Sequence, residues 1–211
     1  DMHGREAATS PARRHEVAAG QEPFAILLGC SDSRVPAEIV FDQGLGDLFV
    51  IRVAGNIVAA SQSGSVEFAA ARYGTRLVVV LGHSQCGAIL ATVEELQRPT
   101  ANQSRYLRSI VDRVRPSVEP LLATELRHDP SALVKQAVRA NIRVSANHLR
   151  HGSELLEQLI QSDGLLVVGA GVLFNIRDAD ELIAFYDNGH GPLAQLPLWF
   201  QAVLFLVLSD F

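Results

Sequence analysis

Leu77-Val78-Val79-Val80-Leu81-Gly82-His83-Ser84-Gln85-Cys86-Gly87 passes from an unbroken apolar run, through a polar turn, into residues 88–96, where apolar side chains return at helical spacing. A continuous Leu/Val run suits a strand covered on both faces, and a turn into a helix straight after it is half of a parallel crossover unit. Three further runs, residues 24–29, 48–53 and 165–168, alternate with helical segments at 65–73 and across 103–149, the latter broken into two or more helices near Pro116 and Pro130. The alternation predicts an α/β fold with a central, mostly parallel sheet of four parallel strands flanked by helices. Residues 181–186 follow the short polar turn 177–180, which predicts a hairpin and an antiparallel strand at one edge.

Hydrophobic residues make up 48% of the 211 and charged residues 19%, enough for one core, and neither a repeat nor a Gly/Ser linker divides the chain. It reads as a single domain, 1–211, with 1–20 a polar N-terminal extension or helical arm and 190–211 an apolar C-terminal segment for the core or a subunit interface. The apolar run 198–208 is well under the roughly 20 residues of a membrane helix, so no membrane span is expected. Eighteen Lys plus Arg against 23 Asp plus Glu leave a charge of −5 and no basic field for a phosphate backbone, which argues against nucleic acid. Two cysteines are too few for a disulfide-built secreted scaffold, and residues 1–20 lack the apolar stretch of a secretory signal. A reducing, cytoplasmic setting is the expectation.

Two clusters carry chemistry. Cys30-Ser31-Asp32-Ser33-Arg34 stands where the strand 24–29 runs out, and an extended backbone there projects Cys30, Asp32 and Arg34 to one side. The Arg34 fork then holds Asp32 ionised and oriented. His83-Ser84-Gln85-Cys86-Gly87 stands at the other strand-to-helix turn, where the helix N-terminus favours the thiolate of Cys86. Both clusters fall at the carboxyl ends of parallel strands, where open α/β sheets place their ligands. Two thiolates and an imidazole suit zinc, and a three-ligand site leaves the fourth tetrahedral position for water, whose pKa zinc lowers from about 15.7 towards roughly 7.

Taken singly, each residue has a plainer reading. Cys30 or His83 alone is core packing, Asp32 with Arg34 is a turn-stabilising ion pair, and Cys30 with Cys86 is a disulfide or redox pair. A purely structural zinc would need a fourth protein ligand, for which Asp32 is the nearby candidate. His3, His15, His128, His148, His151 and His190 default to solvated surface, with no spacing that picks out a proton relay. Gly169-Ala170-Gly171 opens like a dinucleotide loop, but Phe174 stands where the third glycine belongs.

Together the motifs Cys30-x-Asp32-x-Arg34 and His83-x-x-Cys86 resemble the hallmarks of the beta-carbonic anhydrase family. Val35-Pro36-Ala37-Glu38, the stretch Gly46-Asp47-Leu48-Phe49-Val50-Ile51-Arg52 and Ala54-Gly55-Asn56 extend the likeness over most of residues 21–87. The resemblance implies one zinc per subunit on Cys30, His83 and Cys86, an Asp32–Arg34 dyad, and bicarbonate near the backbone amide of Gly87. It implies reversible hydration of carbon dioxide to bicarbonate and a proton by zinc-bound hydroxide, with hydrolysis of carbon disulfide or carbonyl sulfide as an enzymatic rival at the same metal. It also implies homodimers or homotetramers with a cleft lined from both subunits, in which Gln21, Phe49 and Phe68 match the family's cleft-lining positions.

One subgroup of that family has an inhibitory bicarbonate pocket built on a Trp three residues before the first Cys, with an Arg and a Tyr. Here Leu27 occupies the Trp position, although Arg52 is present, so the expectation is no such pocket and a water-bearing metal at neutral pH. The resemblance weakens after residue 170, where Gly171-Val172-Leu173-Phe174 replaces the family's Tyr-bearing hairpin.

Overall fold

The structure, a computed structural model, describes residues 8–101 and 104–172, and 183–187 as backbone. The strands are β1 (Ala25–Gly29), β2 (Leu48–Arg52), β3 (Leu77–His83), β4 (Leu166–Val172) and β5 (Ile183–Asp187). They form one sheet in the order β2-β1-β3-β4-β5. β1 runs parallel to β2 with Ala25 beside Leu48, and parallel to β3 with Ile26 beside Val78. β3 continues parallel to β4 with Leu77 beside Leu166, while β5 lies antiparallel to β4 with Gly169 opposite Asp187. All of β1 and β3 is buried, which accounts for their uninterrupted apolar runs.

The helices are α1 (Pro11–Glu16), α2 (Ala37–Val40), α3 (Ala60–Arg72), α4 (Gly87–Gln97), α5 (Arg105–Leu122), α6 (Pro130–His151) and α7 (Glu154–Ser162). α6 lies on β3 and β4, α3 on β1 and β2, and α4 and α5 pack on α6. Asp129 caps α6, its Oδ1 accepting from the N–H groups of Ser131 and Ala132, with Pro130 in the first turn where no donor is needed. The expected break at Pro116 does not occur: α5 runs on through Pro116 and Pro120. Val111, Val114, Ser117 and Val118 bury one face of it, and that packing outweighs a missing helix hydrogen bond. The chain turns instead at 123–129, between α5 and α6.

α6 comes unusually close to the sheet. A Cβ added at Gly82 would sit 2.6 Å from both Cδ1 and Cγ1 of Ile142. Glycine therefore lets Ile142, itself buried, press on the backbone at the end of β3. β3 and β4 are longer than their apolar runs suggest, and His83 is the last residue of β3 rather than part of a loop. In the N-terminal extension, α1 docks on the loop before β2: Arg13 donates to the Leu45 carbonyl and pairs with Asp47 at 3.0 Å. The hairpin turn 177–180 and the segment 190–211 lie outside the described residues. Among the described residues, no helix is long and apolar enough to cross a membrane.

Candidate metal centre

Cys30 directly follows β1, His83 ends β3, and Cys86 is the N-cap of α4, so the carboxyl ends of two neighbouring strands and the amino end of a helix converge. Their ligand atoms all lie within 4.8 Å of one another, and the two sulfurs are 3.9 Å apart. Two sulfurs held about 2.3 Å from a tetrahedral zinc stand about 3.8 Å apart, so the donor set fits that ion in kind and in spacing. All three side chains are at most 5% exposed. Gln85, at φ 54°, takes a left-handed turn that brings Cys86 back beside His83. The His83 Nδ1 lies 2.9 Å from the Ser84 carbonyl oxygen. A carbonyl only accepts, so Nδ1 carries the proton and Nε2 is the basic nitrogen, the tautomer a metal ligand needs.

Asp32 and Arg34 do meet, although not by strand alternation. The chain turns at Ser33 and Arg34, and Val35 N–H closes that turn on the Asp32 carbonyl at 3.2 Å. Within that turn Asp32 Oδ1 accepts from the Arg34 backbone N–H at 3.0 Å and from Nε at 2.9 Å, while Oδ2 accepts from Nη2 at 2.7 Å. Oδ2 also stands 3.9 Å from His83 Nε2, at the rim of the ligand cluster. A local turn succeeds here because an Asp two residues before an Arg can bond both its backbone and its fork.

Arg34 holds the Asp32 carboxyl well below the usual carboxylate range, first through its side-chain hydrogen bonds and then through its backbone N–H. The sulfurs behave as a pair. Hydrogen bonding from Cys86, helped by His83 and the Gly55 N–H, lowers the Cys30 thiol to about 4 against the opposing effect of burial. Cys86 is pushed up, by Cys30 and by burial. The two thiols are thus coupled, one eased toward the thiolate at the other's expense, and a divalent ion bound by both sulfurs would displace their protons.

Two supports of this site were not legible as such. Arg52, at the end of β2, donates from Nε to the Cys30 carbonyl at 3.0 Å and from Nη2 to the Asp32 carbonyl at 2.5 Å, clamping the ligand-bearing turn. Leu27, on β1, is fully buried between β2 and β3. Asn141, on α6, donates to the Gly55 carbonyl at 2.7 Å, and Gly55, at φ 73°, donates its N–H to Cys30 Sγ at 3.4 Å. The signal for Asn141 was an amide among Ala137, Val138, Ile142 and Ala146 on the apolar face of a helix.

The residues expected to bind substrate divide into two groups. Gly87 joins the ligand cluster: it opens α4 and is exposed, with nothing within 4 Å of where a Cβ would stand. Gln21, Phe49 and Phe68 gather at the opposite, amino end of the sheet. Gln21 precedes β1, and Phe49 pairs with Ile26, four residues before Cys30 or about 13 Å along the strand. The Phe49 and Phe68 rings are 6.1 Å apart, and Phe68 is 53% exposed. His15, His128, His148 and His151 are exposed.

Residues 25–180 match a family model described as Carbonic anhydrase. Carbonic anhydrase 2 of Mycobacterium tuberculosis is 40% identical over 156 residues, 74% of this chain and 72% of that protein. A carbonic anhydrase of Mycolicibacterium smegmatis is 47% identical over 106 residues, about half of each chain (50% and 51%). In fold, the chain is similar to tetrameric beta-carbonic anhydrases of Sordaria macrospora, with TM-score 0.67 at 24% identity over 82% of this chain and 86% of that one. A beta-carbonic anhydrase of Aspergillus fumigatus gives TM-score 0.66 at 24% identity, over 95% and 90% of the two chains. The chain belongs to the carbonic anhydrase family, and its fold is that of the beta class. Beta-class carbonic anhydrases are zinc enzymes, in keeping with the Cys30, His83 and Cys86 donor set.

Proposed function

We propose that this chain catalyses the reversible hydration of carbon dioxide, in which carbon dioxide and water give bicarbonate and a proton, at a zinc held by Cys30, His83 and Cys86. The observation that carries the reading is the meeting of two thiols and one imidazole within 4.8 Å, beside a carboxylate fixed by an arginine. Bound there, zinc supplies Lewis acidity that makes water a nucleophile near neutral pH.

The chain's own residues do the rest. Asp32 stays ionised under Arg34, so it accepts a hydrogen bond from the attacking water and aims its lone pair. Arg34 and Arg52 fix the turn in which Asp32 sits. Gly87 offers a first-turn backbone N–H, which has no partner within its own helix, to a bicarbonate oxygen. Phe49 and Phe68 give an apolar wall suited to a neutral linear molecule, and the Gln21 amide orients one of its oxygens. Because these three lie at the far end of the sheet from the metal ligands, they serve the site of a second copy, which supports a homodimer or homotetramer. The buried Leu27 in place of Trp, and an Arg52 engaged with two carbonyls, support the absence of an inhibitory bicarbonate pocket. A reducing cytoplasm keeps both thiols available to the metal.

Metal analysis with stopped-flow hydration of carbon dioxide tests the reading. One zinc per chain and accelerated hydration are expected. A loaded protein that consumes carbonyl sulfide or carbon disulfide and leaves carbon dioxide untouched would reassign it.

A further inference from the structure

We infer that Tyr73 is a positioning residue for substrate, fixing the Gln21 carboxamide through its hydroxyl. The inference rests on the proposed role of Gln21. Gln21 Nε2 donates to the Tyr73 hydroxyl at 3.1 Å, across 52 residues of sequence. Gln21 itself belongs to neither helix nor strand, so its long side chain draws no order from its own backbone.

Tyr73 is held from two directions. It ends α3, with its N–H on the Ala69 carbonyl at 3.0 Å. Its ring packs edge-on against Phe68 at 5.9 Å and 85°, and tilted against Phe49 at 5.9 Å and 45°. With Phe49 and Phe68 6.1 Å apart, the three rings close a triangle. Such packing fixes the ring plane and hence the place of the hydroxyl.

An amide nitrogen carries two N–H groups in one plane. Once the first is tied to Tyr73, the second and the carbonyl oxygen point in set directions, and a neutral donor is organised before an oxygen of carbon dioxide or bicarbonate arrives. The rings that give the cleft its apolar wall thus also orient the Gln21 amide.

Tyr73→Phe keeps the ring and deletes only the hydroxyl. In the zinc-loaded, full-length protein it is expected to lower kcat/KM for carbon dioxide hydration about fivefold, the value of one ordinary hydrogen bond, through a raised KM at constant kcat and unchanged Tm. In a Gln21→Ala background the same substitution should have no further effect, since nothing remains to be oriented. Equal losses in both backgrounds, or wild-type kinetics in Tyr73→Phe, would overturn the inference. A wild-type protein that fails to hydrate carbon dioxide would instead overturn the functional reading on which it rests.

Discussion

Asp32 shows how little chain a functional group needs. Three hydrogen bonds from Arg34, two residues away, fix both its oxygens and its charge. Asp32→Ala removes the acceptor that aims the nucleophile without removing a ligand, so metal content should stay at one per chain while kcat/KM falls about 10²- to 10³-fold. Unchanged turnover would refute that role. The sign of its titration is also fixed. An unfolded Asp titrates near 3.9 and Asp32 in the folded chain titrates lower, so below about pH 5 the unfolded chain binds the extra proton and stability falls with pH. Its contribution is fully present at neutral pH. The stability difference between wild type and Asp32→Asn, followed by urea unfolding, should therefore shrink steadily from pH 5 downward.

At the scale of elements, α6 is the part that holds the site from behind. Gly82→Ala would drive a methyl into Ile142, and about 1–3 kcal/mol of destabilisation is expected, with Ile142→Val restoring part of it in the double variant. Purely additive losses in thermal unfolding would show that the contact is not the cause. Asn141→Ala leaves the buried Gly55 carbonyl without its amide donor and should cost about 1–3 kcal/mol in chemical unfolding. β1 and β3 were plain in the sequence because two covered faces demand uninterrupted apolar residues. The course of α5 through Pro116 was not, because proline's local penalty is visible in a sequence and the burial that overrides it is not.

For the whole molecule, one chain holds metal ligands at one end of its sheet and aromatic, amide-bearing cleft residues at the other. If a second copy completes each site, two crippled variants should rescue each other. Cys86→Ala supplies intact Gln21, and Gln21→Ala supplies an intact metal site, so each mixed dimer has one whole site. Random co-refolding in equal amounts should recover about a quarter of wild-type activity, whereas a site contained within one chain gives no more than half the residual activity of Gln21→Ala alone.

Read alone, the sequence marked the covered strands and the two clusters that bear the candidate ligands, because strand burial and ligand chemistry are short-range properties written in neighbouring residues, while the turn that joins Asp32 to Arg34 was expected as an extended strand. Only the tertiary structure decided that Cys30 and Cys86 stand 3.9 Å apart, that Arg52 and Asn141 brace them, and that Tyr73 reaches Gln21. Those contacts join residues tens of positions apart, and their distances depend on how helices settle on the sheet, which no local pattern encodes.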